Sequence, residues 1–175
     1  MINFKASWAA LGAALLVAAC GGGDGGPLGT QDAKPARGAL MQSPPPRITS
    51  MTAADFTAIL TAKSASLLQL AGAPVCGVDV QYIKYGTVGG AGEATDASGA
   101  LMVPTGSNAK CTGARPIVVY SHGTNITKSY NLANFADDTN AAFSEAVLLA
   151  AMYAAQGYIV VAPNYAGYDL SLIHI

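Results

Sequence analysis

Two apolar runs constrain this chain more than any other feature: "PIVVYSHG", residues 116–123, and "YIVVAPNYAGYD", residues 158–169. Each opens on unbroken large apolar residues, Ile117 to Tyr120 in the first and Tyr158 to Val161 in the second. A strand with one wet face alternates in polarity, so an unbroken run predicts a strand buried on both faces, as in a parallel sheet. Between them lies "DTNAAFSEAVLLAAMYAAQG", which predicts a helix capped by Asp138 or Thr139 and stopped by Gly157. Its alanine, leucine and methionine content suits packing on a sheet. Strand, helix and strand at this spacing predict a right-handed crossover unit of a parallel α/β sheet. The polar loop after the first strand runs to about 15 residues, long enough to suggest function.

Upstream, "TAADFTAILTAKSASLLQLAG" (52–72) predicts one helix. Thr52 caps it, Asp55 sits in its first turn, and Phe56, Leu60, Lys63 and Leu67 share a face with Ile59 beside them. Gly72 and Pro74 end it. "VDVQYIKYG" alternates and is rich in β-branched and aromatic residues, so it predicts a strand. "TVGGAGEATDASG" supplies turn residues, and "ALMVPTG" predicts a second strand ended by Pro104. The two strands should pair as an antiparallel hairpin.

The chain has 175 residues, room for one modest domain, and a net charge of -1. There is no basic run and no aromatic–basic interleaving, so nucleic acid is excluded as a partner on electrostatic grounds. The N-terminus reads as a targeting segment over residues 1–19: Lys5 gives a positive start, and "ASWAALGAALLVAA" is too short for a membrane span. It ends in Val17, Ala18, Ala19 and Cys20, which resembles the lipobox of bacterial lipoproteins. That resemblance implies cleavage before Cys20, lipidation of its thiol and a stable membrane anchor. Gly21 in place of aspartate implies the outer membrane of the cell envelope rather than the inner. The alternative is an ordinary signal peptide with an incidental cysteine. Residues 20–49 are dominated by glycine and proline and predict a flexible tether.

Two further cysteines, Cys76 and Cys111, would then stand in an oxidising compartment, where an even pair predicts a disulfide; the alternative is two buried thiols. Two isolated cysteines lack the second pair of ligands for a metal site. Asp137 and Asp138 precede a helix and read as capping residues rather than metal ligands. No metal and no cofactor are expected.

"SHGTN", Ser121 to Asn125, lies where a parallel strand ends and a loop can offer free backbone N–H groups to a ligand. Glycine there permits close approach to the backbone, and such donors can stabilise the oxyanion of acyl transfer. Together, "PIVVYSHGT" and "AAQGYIVVAPNYAGYD" resemble the α/β-hydrolase fold, closest to secreted bacterial esterases and the secretory lipase group. The resemblance covers roughly Val78 to Asp169, the first half of that fold, so residues 50–169 are expected to form a partial α/β-hydrolase domain. It implies an oxyanion hole at Gly123, Thr124 and Asn125, with His122 structural. It also implies a small-molecule ester as substrate. Asn164 stands where many members carry aspartate, a position outside the triad. Tyr165 and Tyr168 either line a substrate cleft or are semi-buried aromatics. Ser121 and His122 cannot form a nucleophile–base pair, because adjacent strand residues point to opposite faces.

The family's triad runs serine in G-x-S-x-G, then an acid, then a histidine. No G-x-S-x-G occurs in these 175 residues. The last six residues, "LSLIHI" (170–175), resemble the translation of a transposon-end adapter used in library preparation, which implies a non-native tail and a His174 without catalytic role. The expectation is an inactive fragment of an exported serine hydrolase acting on carboxylic esters, truncated before the nucleophile, with the strand over Ile159 to Ala162 left as an apolar edge. A peptidase on the same fold, or a non-catalytic envelope lipoprotein that binds a ligand or partner, are the alternatives.

Overall fold

A computed structural model describes residues 35–169 of the chain. Cys20, the leader, most of the proposed tether and the tail with His174 lie outside the described residues. The elements run β1 (Arg47–Met51), α1 (Ala53–Lys63), α2 (Ala65–Ala71), β2 (Gly77–Val88), β3 (Ala94–Thr105), β4 (Ile117–Val119), α3 (Phe143–Met152) and β5 (Ile159–Tyr165). They build one five-stranded sheet in the order β1-β2-β3-β5-β4.

The hairpin is longer than its apolar pattern predicts. β2 and β3 pair antiparallel from Gly77↔Thr105 to Val88↔Ala94, so the turn shrinks to residues 89–93 and "ATDASG" is strand. Thr95 and Ser98 are small polar residues that read as turn, yet both are buried in the sheet. Pro104 lies within β3 rather than ending it. Its missing N–H is tolerated because the β3–β5 ladder stops at Met102↔Val160 and asks for no donor beyond.

The segment read as a tether meets the sheet before residue 50. Arg47 to Met51 pair with β2, and Arg37 and Leu40 bridge to Gly86 and Tyr85. The single helix predicted over 52–72 is two. Thr52 and Asp55 form a reciprocal capping box at the start of α1, and Gly72 ends α2 at φ 77°. Between them Ser64 leaves helical geometry at φ -158°. Serine gives up little by doing so, since its intrinsic helix propensity is low.

β4 and β5 pair parallel, Ile117↔Ile159 through Val119↔Val161, with α3 between them in sequence. Phe56 and Leu60 of α1 and Ala146, Leu149 and Ala150 of α3 pack with Val78, Val80, Met102, Val160 and Ala162 into one core on one face of the sheet. Burial on both faces of β4 is not found. β4, not β5, is the outer strand, and Ile117 and Val119 are 63% and 70% exposed. The face they share with half-buried Leu101, Ile159 and Val161 is covered by no helix among the described residues.

The cap assigned to α3 is also different. The helix starts at Phe143 with no side-chain cap. Asp137 instead accepts from the N–H and hydroxyl of Thr139 (2.9 and 2.6 Å), closing a turn ahead of the helix. Asp138 pairs with Lys63 of α1 at 3.0 Å. At the other end, Met152 leads into a short 3-10 turn before Gly157 at φ 103°, where a Cβ would meet Lys110 O at 2.6 Å. Cys76 and Cys111 form a disulfide with a Cα–Cα distance of 5.5 Å, joining the start of β2 to the segment that enters β4.

Candidate active site at the strand tips

Parallel pairing brings the carboxyl ends of β4 and β5 to the same edge of the sheet. Tyr120 N–H still donates to Val161 O (2.9 Å), after which the chain turns away. Ser121 is exposed and His122 is 5% exposed, so the two point apart as strand geometry requires. The ring nitrogens of His122 face Gly123 O (2.7 Å) and Asn164 O (3.2 Å). Neither is directed at Ser121.

The His122 ring is wrapped by aromatics. Tyr165 stacks on it at 4.2 Å between centroids, Tyr130 lies at 4.4 Å, and Tyr168 meets it edge-on at 5.3 Å. Tyr165 sits at φ 64°, a left-handed conformation unusual for a side chain of its size. Such a conformation costs on the order of 1–3 kcal/mol and persists where surrounding contacts impose it. Here they are the ring stack and the Tyr165 hydroxyl, which donates to His122 O at 3.1 Å. Tyr165 and Tyr168 are both half-buried and brace the loop from beneath.

Of the three amides assigned to an oxyanion hole, one is engaged. Asn125 N–H donates to the Tyr168 hydroxyl (3.0 Å), which in turn donates to Asn125 O. Gly123 and Thr124 are exposed, and among the described residues their N–H groups meet no acceptor. A Cβ built on Gly123 would meet nothing within 4 Å, so the approach to its backbone is open. Two exposed, unengaged amides at a pinned strand tip can donate to a negatively charged or developing oxygen.

Beneath the tip is a buried amide network. Asn164, fully buried, accepts from Leu132 N–H (2.9 Å) and donates to Ser98 Oγ (2.9 Å) and Asn131 Oδ1 (3.1 Å). Two of these partners are acceptors and one is a donor, so an amide fits here and a carboxylate does not. Asn140 donates to Asn131 O (2.7 Å) and accepts from Ala142 N–H (3.2 Å), tying the loop to the start of α3. Asp169, after β5, accepts from the Tyr82 hydroxyl (2.6 Å) and Ser98 Oγ (3.2 Å).

Sequence reasoning missed the acidic anchor of the site. Glu145 of α3 accepts from the hydroxyls of both Tyr120 and Tyr130. The bond to Glu145, more than burial, pushes the Tyr120 phenol up to about 12. Burial first, then Glu145, pushes Tyr130 upward as well. Burial and the bond to Asp169 push Tyr82 up to about 12. All three phenols are therefore neutral donors near neutral pH. The available signal was a lone carboxylate in the apolar helix "FSEAVLLAAM".

No family model and no curated protein matches the chain. Solved structures do. A ligand-bound form of the rice cell wall degrading esterase LipA from Xanthomonas oryzae aligns at 28% identity and a TM-score of 0.60, covering 79% of this chain and 32% of that one. Another crystal structure of that esterase aligns at 28% identity and a TM-score of 0.59. A Legionella pneumophila protein assigned to the hydrolases aligns at 20% identity and a TM-score of 0.53, covering 74% of this chain and 31% of the other, a likeness of fold alone. The chain thus spans about a third of the length of the structures it matches, and over that span it has the mixed α/β fold of a hydrolase.

Proposed function

We propose that this chain is the N-terminal part of an exported serine hydrolase acting on carboxylic esters. It supplies the oxyanion-binding strand tip, and the nucleophile, acid and base come from sequence beyond these 175 residues. The observation that carries the reading is the pair of unengaged amides, Gly123 and Thr124, at the carboxyl end of a parallel strand. The likeness to an esterase supports the substrate class. When a serine hydroxyl adds to the ester carbonyl, the carbonyl oxygen takes up negative charge, and these amides would share it with the N–H after the serine. Donors of this kind contribute roughly a hundred- to a thousandfold each to turnover. The base that took the serine proton then returns it to the departing alkoxide. Lipidation at Cys20 would tether the enzyme to the envelope, with the outer membrane as the favoured side.

The test is to recover the complete coding sequence and treat the full-length protein with a fluorophosphonate probe. Labelling at a serine in a downstream G-x-S-x-G-like elbow, abolished by heat denaturation, supports the reading. No elbow and no labelling would leave a ligand-binding lipoprotein as the better account. Labelling with turnover on peptides but not on p-nitrophenyl esters would point to a peptidase.

A further inference from the structure

The loop that carries the two amides is bracketed by tyrosines that converge on one carboxylate. Tyr120, where β4 gives way to the loop, donates to Glu145 Oε1, and Tyr130, at the far end, donates to Glu145 Oε2. Tyr130 is 1% exposed and packs on His122. Both ends of the 121–129 segment are therefore fastened to the first turn of α3 through a single side chain. We propose that Glu145 is a positioning residue for the Gly123 and Thr124 amides, acting through Tyr120 and Tyr130. The proposal rests on the reading of those amides as oxyanion donors.

The chemistry favours a carboxylate at this point. An ionised carboxylate is acceptor-only and has an oxygen for each hydroxyl. Glutamine keeps one acceptor and presents an NH₂ to the other tyrosine, while alanine leaves both phenols without a partner. Hydrogen bonds to a charged acceptor are the stronger kind, so the clamp restrains the loop more than neutral pairs would. A glutamate in a first helical turn is also favoured by the helix dipole. That role alone would leave its oxygens free to face solvent, whereas here each oxygen takes a tyrosine hydroxyl from a different end of the loop.

The experiment uses the full 175-residue chain, labelled with ¹⁵N, as wild type, Glu145→Ala, Glu145→Gln, Tyr120→Phe and Tyr130→Phe. Backbone order parameters are measured at Gly123 and Thr124, with Val80 and Met102 as core references. In Glu145→Ala the loop values should fall from about 0.85 toward about 0.6 while the core stays rigid. Glu145→Gln and the two phenylalanine variants should fall part of the way, which keeps the test open if the alanine variant does not fold. An ultraviolet titration, taken as the difference between each chain and the same chain carrying Tyr120→Phe, gives a second readout: the Tyr120 midpoint, pushed up to about 12 by the bond to Glu145, should drop toward the usual phenol value of about 10 in Glu145→Ala. Loop order parameters unchanged in every variant would overturn the proposal. So would a loss shared equally by Val80 and Met102, which would make Glu145 a general stability residue. Neither readout involves ester turnover, so this inference and the hydrolase reading can fail separately.

Discussion

Replacing Cys76 and Cys111 by alanine should cost the fold about 5 kcal/mol. The disulfide closes a sequence separation of 35 residues, which takes in the whole β2–β3 hairpin. On the chain-entropy model, opening a loop of that length returns about 12.7 cal/mol/K to the unfolded chain, about 3.8 kcal/mol at 25 °C. Both cysteines are buried, so the void left by two sulfurs adds on the order of 1 kcal/mol. Part of the local structure survives without the bond. Arg115 Nη1 still donates to Pro104 O and Cys111 O at 2.7 Å each, and Val75 and Cys76 N–H still donate to Ala155 O at 2.9 Å. The variant should therefore keep its native circular dichroism at low temperature and lose stability in the melt. At about 2–4 °C per kcal/mol for a chain of this size, the melting temperature should fall by about 10–20 °C. The assay compares oxidised wild type, wild type in reductant, and the double-alanine chain with and without reductant. Reductant should lower the wild-type midpoint and leave the double-alanine midpoint where it was. A fall of less than about 2 °C would refute the loop-closure reasoning, as would a reductant effect on the chain that has no disulfide.

Two further outcomes follow from the site. Asn164→Asp should destabilise by about 1–3 kcal/mol in urea melts at pH 7, because at this fully buried position a carboxylate would set an acceptor against Asn131 Oδ1; a midpoint matching wild type would show that the amide network rearranges freely. Alkaline pH should weaken the fold, because Tyr82, Tyr120 and Tyr130 all bind their protons more tightly folded than unfolded. The stability this confers is complete below the unfolded phenol value of about 10 and is lost as pH climbs toward about 12. Urea midpoints flat from pH 9 to 11.5 would contradict it.

The fold was legible where a pattern is local. Alternation in "VDVQYIKYG" marks a strand, and Thr52 with Asp55 marks a helix start, which the structure closes with a reciprocal capping box. The expectation of an oxidising compartment, together with an even pair of cysteines, was enough to predict the Cys76–Cys111 bridge. The pattern failed where partners decide the state. Thr95 to Gly99 are turn-like in isolation, but β2 on one side and, from Ser98 onward, β5 on the other hold them extended. The unbroken run at Ile117 carries no sign of which neighbours it has, so its half-exposed edge position was invisible from sequence.

The site divides along the same line. Its proposed donors are backbone groups, and a glycine at the tip of an apolar run is enough to propose them. What holds their loop comes from far along the chain: Tyr165 from the end of β5, Tyr168 from the turn after it, and Glu145 from α3. Each of these residues has an ordinary explanation where it stands in sequence, as a semi-buried aromatic or a helix-start carboxylate. On the proposed reading they act together only because the parallel pairing of β4 and β5 sets both strand tips side by side and the fold brings Glu145 of α3 to the hydroxyls of Tyr120 and Tyr130. A loop amide stabilises charge well only if it need not reorganise as the charge forms. The residues least readable from sequence are thus the ones on which the usefulness of the readable ones depends.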